Sequence, residues 1–294
     1  MFSIIIPTYN RKKSLLSTLD NLELQTKVNF EVIIVDDFST DGTDSAINFS
    51  KYNFNIKYIK NTMNLGAAKS RNIGCQNASF DWLLFLDDDD IFHKDKTLLI
   101  EEAILNNKFD FCYHKATINM VNENVSYITK PYLPIHVSMD NMFEKNQIGG
   151  TPMWCVSKLL FLKLGGFSED ILALEDYEFL LKMLSNKKDV NVHYIDHALT
   201  NCFYTTKKVS VSKNISHTKD AIRYIENKYN LDKNKKFKCN QNEILAHSLL
   251  MSLNRSSFFY YVNAFKETLK ISYLFKSISV LISPQLTIIL RRFI

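Results

Sequence analysis

Glycine and paired cysteine are both scarce in this 294-residue sequence. Only seven glycines occur, at 42, 66, 74, 149, 150, 165 and 166, and none lies in the last 128 residues. That imbalance predicts a turn-rich first part and a mostly helical remainder. The five cysteines (Cys75, Cys112, Cys155, Cys202, Cys239) are odd in number, far apart and form no C-x-x-C pair. This excludes a zinc ribbon or a disulfide framework and fits reduced thiols. Neither G-x-G-x-x-G nor G-x-x-x-x-G-K-[ST] is present, so a dinucleotide fold or a P-loop finds no support. No apolar stretch reaches the roughly 20 residues of a membrane span. The start, MFSIIIPTYN, lacks a basic leader and reads as a strand, so the expected location is the cytoplasm.

Charge is scarce in one sense as well. The net charge of +5 arises entirely from Ile244 onward, where Arg255, Lys266, Lys270, Lys276, Arg291 and Arg292 face only Glu267. A nucleic-acid binder would spread basic residues over its main domain, so no nucleic-acid partner is expected. A basic, apolar tail instead suits the anionic inner face of a cytoplasmic membrane.

What is present is an alternation of strand and helix. Apolar runs at Phe2–Ile6, Phe30–Val35, Ile56–Lys60, Trp82–Leu86 and Phe109–Tyr113 predict strands. Between them, amphipathic stretches predict helices over 11–25 (capped by Asn10), 43–51, 66–77 and 96–106. The pattern predicts an α/β domain with a mostly parallel sheet flanked by helices. Ligands of such sheets collect at the carboxyl ends of the strands. Residues 116–217 are less regular and contain a predicted helix over 174–184. Residues 218–294 read as a helical extension, with 233–238 as a loop. The boundaries are therefore 1–217 for a catalytic domain and 218–294 for a C-terminal extension able to associate with a membrane.

Polar clusters stand at the carboxyl ends of the strands. Asp87–Asp90 follows an apolar strand, and four adjacent carboxylates repel by about 1 kcal/mol per 4 Å pair even in water. Oxygen-only donors of this kind suit Mg²⁺ or Mn²⁺, shared with substrate phosphates. Asp36 and Asp37 end the neighbouring strand, where a carboxylate can accept from a nucleobase imide or a ribose hydroxyl. Thr8, Tyr9 and Asn10 add an aromatic face. Arg71 lies on the helix opened by Gly66, placed to meet a phosphate or the acidic cluster. Glu175-Asp176 opens another helix, where acids favour the helix dipole but can also serve as a general base. His93, His193 and His197 receive no role.

Five segments in order, SIIIPTYNR, EVIIVDDFSTDGT, NLGAAKSRNIG, WLLFLDDDD and GGF…LEDYEFLLK, together resemble glycosyltransferase family 2, the inverting transferases of the GT-A fold. The resemblance covers about residues 2–185. It implies that Pro7, Thr8 and Tyr9 border the donor base, that Asp37 hydrogen-bonds it, and that Arg71 approaches the diphosphate. It implies Asp89, with Asp87, as ligands of Mn²⁺ or Mg²⁺, with Asp87 or Asp88 near the ribose. Asp176 becomes the base, and Glu175 and Trp154 border the acceptor or support the site. The implied donor is a nucleotide sugar, UDP-linked by preference. The acceptor is a glycan, lipid-linked if the tail meets a membrane, as in bacterial surface-polysaccharide synthesis (O-antigen, capsule or lipooligosaccharide).

Two departures stand out: Phe38 replaces a usual glycine, and the segment NCFYTTKKVSVS lacks the family's late histidine, offering Tyr204, Lys207 and Lys208. Competing readings are an inactive sugar-nucleotide-binding scaffold and a sugar-1-phosphate nucleotidyltransferase. The latter opens with G-x-G-T-R after its first strand, where this chain has IPTYNR.

Overall fold

The structure, a computed structural model, describes residues 1–186, 190–206 and 214–290. The strands are β1 (Phe2–Thr8), β2 (Phe30–Asp36), β3 (Asn55–Lys60), β4 (Trp82–Phe85), β5 (Ile91–Phe92), β6 (Phe111–Met120), β7 (Val125–Ile128), β8 (Trp154–Ser157) and β9 (Val192–Tyr204). Interleaved helices are α1 (Lys12–Leu22), α2 (Thr43–Ala46), α3 (Ala67–Gln76), α4 (Lys96–Asn106), α5 (Met139–Glu144), α6 (Lys158–Lys163) and α7 (Glu175–Ser185). The chain then turns helical through α8 (Ile215–Tyr229), α9 (Lys235–Met251), α10 (Ser257–Thr268), α11 (Ile271–Ile282) and α12 (Pro284–Leu290).

One sheet runs β3-β2-β1-β4-β8-β6-β9-β5, with β7 folded back on β6. β3, β2, β1 and β4 are parallel, β8 is antiparallel to both its neighbours, and β9 runs parallel to β6. The expected parallel half is therefore present, joined to a mixed half. Both faces of the parallel half are covered, which is why its strands are continuously apolar. Ile4 and Ile6 of β1 face Leu15, Leu19 and Leu22 of α1 and Ile100 of α4. Ile5 points the other way, into a cluster with Ile33, Phe85 and Cys75 of α3. Gly74 is required there, since a Cβ would lie 2.5 Å from Ile5 Cγ2. The same cluster continues through Phe179 and Leu180 of α7 into Ile225, Phe237, Leu250 and Tyr261 of the C-terminal helices.

Several local expectations change. The helix expected over 43–51 is α2 plus a 3₁₀ turn at Phe49–Lys51, because Ile47 is extended and buried and the Asn48 side chain caps the new turn. β6 extends to Met120 because β9 pairs along it as far as Tyr204. Of the loop expected at 233–238, residues 235–238 instead form the first turn of α9, where Asn234 caps Phe237 N–H and the Phe237 ring is fully buried. Asn10 does not cap α1. Asp41 Oδ2 accepts from Lys12 N–H at 2.9 Å instead.

Candidate active site

The turns after β1, β2 and β4 converge at the carboxyl edge of the sheet. Asn10, at φ +51, ties the first two: its N–H donates to Ser39 Oγ and its Oδ1 accepts from Thr40 N–H, both at 2.8 Å. Thr8 donates its hydroxyl to Asp88 Oδ2 at 2.6 Å, so it braces the acidic cluster with the group expected beside the base. Pro7 remains half-buried within β1, while Tyr9 is 47% exposed at the rim.

Asp37 is buried and accepts from Asn61 Nδ2 (2.9 Å), Leu65 N–H (2.7 Å) and Gly66 N–H (2.8 Å). It thus shapes the turn that opens α3. A carboxylate has about four acceptor positions, so one is left on Oδ2 for a base imide. Asp36 accepts from Ser39 N–H (2.8 Å) and from the Tyr58 hydroxyl. Phe38 sits at φ +73 and is 45% exposed. The usual glycine is explained by that backbone, which costs a bulky residue on the order of 1–2 kcal/mol.

The four aspartates diverge in role. Asp90 is buried and accepts from Phe203 N–H at 3.0 Å, tying β9 to the cluster. Burial drives its carboxyl well above the ordinary range, reinforced by Asp87 and Asp89. Asp88 is buried too and pushed up to about 6 by burial, although Arg11 and Thr8 pull the other way. Asp89 is the most open of the four, and partial loss of water around its carboxylate raises it against the pull of Arg11. Arg11 Nη1 spans both, 3.0 Å from Asp88 Oδ1 and 2.5 Å from Asp89 Oδ2. Asp87 is partly open and pairs with Arg71.

Among the described residues, no group of three or more His, Cys, Asp or Glu side chains could hold a metal ion. The residues nevertheless fit Mn²⁺ or Mg²⁺ carried in with a nucleotide. Asp87 and Asp89 each keep a second carboxylate oxygen beside the one paired with an arginine, and one or two carboxylates plus phosphate oxygens meet such an ion's needs. A cation would also offset the negative charge that Asp87, Asp88 and Asp89 crowd into one turn.

Arg71 is buried and meets the acidic cluster, one of the two partners expected for it. Its Nη2 donates to Asp87 Oδ1 at 2.7 Å and its Nη1 to Glu175 Oε1 at 2.8 Å, leaving Nε unpartnered. A buried guanidinium must be paired, so it bridges carboxylates rather than pointing at open space. The bridge joins the acidic cluster to the start of α7. Leu174 enters that helix at φ +59, a strained conformation held by packing on two apolar clusters. Asp176 is partly buried, and burial followed by repulsion from Glu175 pushes it up to about 7, against the Tyr177 N–H bond and the charge of Arg71. A carboxylate near neutrality in this position can exchange a proton with a hydroxyl.

Trp154 is fully buried among Phe111, Phe167 and Phe179, its indole N–H donating to Gly149 O at 3.2 Å. It therefore props the Gly149-Gly150 turn and does not meet an acceptor. A Cβ on Gly150 would lie 3.3 Å from Asp176 Oδ2, so this turn walls the carboxylate.

Sequence reasoning missed Arg11 and Gly150. Arg11 could have been found as the first cation after the β1 turn, whereas the Gly150 contact spans 26 residues and has no local signal. One spacing was also passed over: His193 and His197 are four apart, but they lie on a strand, where His193 stacks on Phe109 at 5.1 Å. Tyr204 ends β9 beside the cluster, while Lys207, Lys208, Arg291 and Arg292 lie outside the described residues.

A family model described as Glycosyl transferase family 2 matches residues 3–161, more than half the chain. An uncharacterized glycosyltransferase of Haemophilus influenzae is 41% identical over 295 residues, covering 99% of each chain. The Escherichia coli UDP-Glc:alpha-D-GlcNAc-diphosphoundecaprenol beta-1,3-glucosyltransferase WfgD is 29% identical over 73% of this chain and 80% of its own. Among solved structures, S. aureus TarS 1-349 in complex with UDP superposes with a TM-score of 0.61 at 25% identity, covering 95% of this chain and 78% of that one.

Proposed function

Because this chain belongs to glycosyl transferase family 2, and is therefore a glycosyltransferase of GT-A fold related to bacterial polysaccharide enzymes, we propose that it moves a hexose or N-acetylhexosamine from a UDP-sugar to a glycan hydroxyl with inversion. The acceptor in this reading is a lipid-linked oligosaccharide at the inner face of the cytoplasmic membrane, the class of acceptor named for WfgD. Residues 1–217 carry both substrate sites and 218–294 brace them.

The observation that carries the reading is the Arg71 bridge, which brings Asp87 and Glu175 to one guanidinium across 104 residues of chain. Asp37 takes the base imide on its remaining acceptor position, between the exposed rings of Tyr9 and Phe38. Asp89 and Asp87 would hold Mn²⁺ or Mg²⁺, which when bound would offset the charge of a departing diphosphate. Asp176 removes the proton from the acceptor hydroxyl as its oxygen attacks the anomeric carbon. The bond to the diphosphate oxygen breaks, the nucleoside diphosphate leaves with the electron pair, and attack from the opposite face inverts the centre. Arg71 is ion-paired with Glu175 and Asp87, so that Asp176 is the carboxylate left without a cationic partner to accept the proton.

Thermal-shift titration tests this with UDP, GDP and dTDP, each with and without Mn²⁺, on the wild type and Asp89→Ala. A ligand that binds only the folded protein raises the unfolding temperature. The expected result is a Mn²⁺-dependent rise with UDP that is lost in Asp89→Ala and on chelation. No rise with any nucleotide would refute the donor site.

A further inference from the structure

We propose that the outward face of α11 is a docking surface for an anionic lipid bilayer. Ile271, Leu274, Phe275, Ile278, Leu281 and Ile282 are all exposed, Phe275 by 69% and Ile282 by 66%. Their spacing of 3, 4, 7, 10 and 11 residues from the first aligns them along one side of the helix. The opposite side is anchored: Tyr273, Ser277 and Val280 are buried. Glu243 of α9 accepts from Tyr273 OH at 2.9 Å and from Lys276 Nζ at 3.0 Å. The apolar ridge is therefore held outward by the fold. Leu269, 72% exposed, precedes it in the chain.

Size and charge choose the occupant. Twelve residues at 1.5 Å each make about 18 Å, short of a roughly 30 Å hydrocarbon core, so the helix can lie in an interface but not cross it. No described helix is long and apolar enough to span. A ridge about 18 Å long and one helix wide offers far less than the ~800 Å² per partner of a standard protein interface, which disfavours a second copy. No acidic residue follows Glu267 in the sequence. Lys270 and Lys276 are already paired, with Glu144 and Glu243. Arg255, just before α10, and Lys266 within it face only Glu267 among the acids from Ile244 onward, so this end of the chain offers cationic charge to an anionic lipid surface. The docking face is thus α11, rather than the terminal stretch as a whole, because Ile288 of α12 turns into the core. This deepens the reading of a lipid-linked acceptor, on which it depends only for its purpose.

Co-sedimentation of the full-length protein with phosphatidylcholine vesicles, with and without phosphatidylglycerol, tests the proposal. The comparison is the double variant Phe275→Gln/Ile278→Gln, whose exposed sites and good helix formers leave the fold intact by circular dichroism. Wild type should pellet with vesicles, more strongly with phosphatidylglycerol, and the variant should partition about tenfold or more weaker. Wild type remaining in the supernatant, or a variant that pellets equally, overturns the proposal. So does concentration-dependent dimerisation in light scattering that the variant abolishes. The UDP thermal shift is read on the same preparations. Its loss with vesicle binding retained would refute the UDP-sugar donor site alone.

Discussion

Replacing Asp176 with Asn should remove activity and at the same time make the protein more stable above neutral pH. The carboxyl titrates at about 7 in the fold against an ordinary 3.8, chiefly because burial disfavours its charged form. Protonation is then favoured in the folded protein, so this group's stabilising contribution is complete below about pH 4 and is lost as pH rises to about 7. At 1.36 kcal/mol per pH unit, the gap caps the loss at about 4 kcal/mol. Asn keeps the shape, and its Oδ1 can still accept from Tyr177 N–H, which lies 2.7 Å from the native carboxylate. Its unfolding midpoint should match the wild type near pH 4 and exceed it by several degrees near pH 8. Loss of a general base costs about 10²–10⁴-fold in turnover. The wild-type rate should rise about tenfold per unit up to about pH 7 and then level, and the variant should lose that limb. Glu175→Gln, which removes the neighbouring repulsion, should move the midpoint to lower pH. Differential scanning calorimetry across pH and radiolabelled sugar transfer are the assays. An Asp176→Asn protein that turns over within tenfold of wild type, or is less stable near pH 8, refutes the reasoning.

Gly150→Ala should lower turnover about tenfold or more with little change in donor affinity, since its Cβ would crowd Asp176 Oδ2 at 3.3 Å; steady-state kinetics against nucleotide titration separates the two. Glu178 is buried and accepts from Ser168 (2.6 Å), Lys228 (2.7 Å) and Tyr229 (3.1 Å), joining α7 to α8. Burial raises its carboxyl but these partners hold it below the ordinary value. Glu178→Ala should cost about 1–3 kcal/mol in urea unfolding, because it leaves the buried Ser168 hydroxyl without its acceptor and unties α7 from α8. Phe38→Gly should weaken UDP binding by up to about tenfold, through lost stacking. It should leave the unfolding midpoint nearly unchanged, as relief at φ +73 offsets the added freedom of the unfolded chain. Calorimetric titration beside thermal melts reads both.

The strands β1 to β4, helices α1, α3 and α4, and the acidic turn were legible from sequence because each depends on a local pattern. An apolar run buried on two faces, a helical stripe or a strand followed by carboxylates is complete within about a dozen residues. Elements that depend on distant partners were not legible. β6 is long because β9 pairs with it, and 235–238 is helical because Phe237 has a core to enter. The site divides in the same way. Sequence alone determined which chemical groups stand at the carboxyl edge of the sheet, and that a helix begins at Glu175-Asp176. Only the tertiary structure decided their division of labour. It engages Thr8 and Arg11 on the aspartates, spends Asp90 on β9, turns Trp154 inward and closes Arg71 between Asp87 and Glu175. The physical reason is that a buried charge or polar group must find partners within hydrogen-bond reach, and the residues that stand there come from separate turns, up to 113 positions apart in the chain.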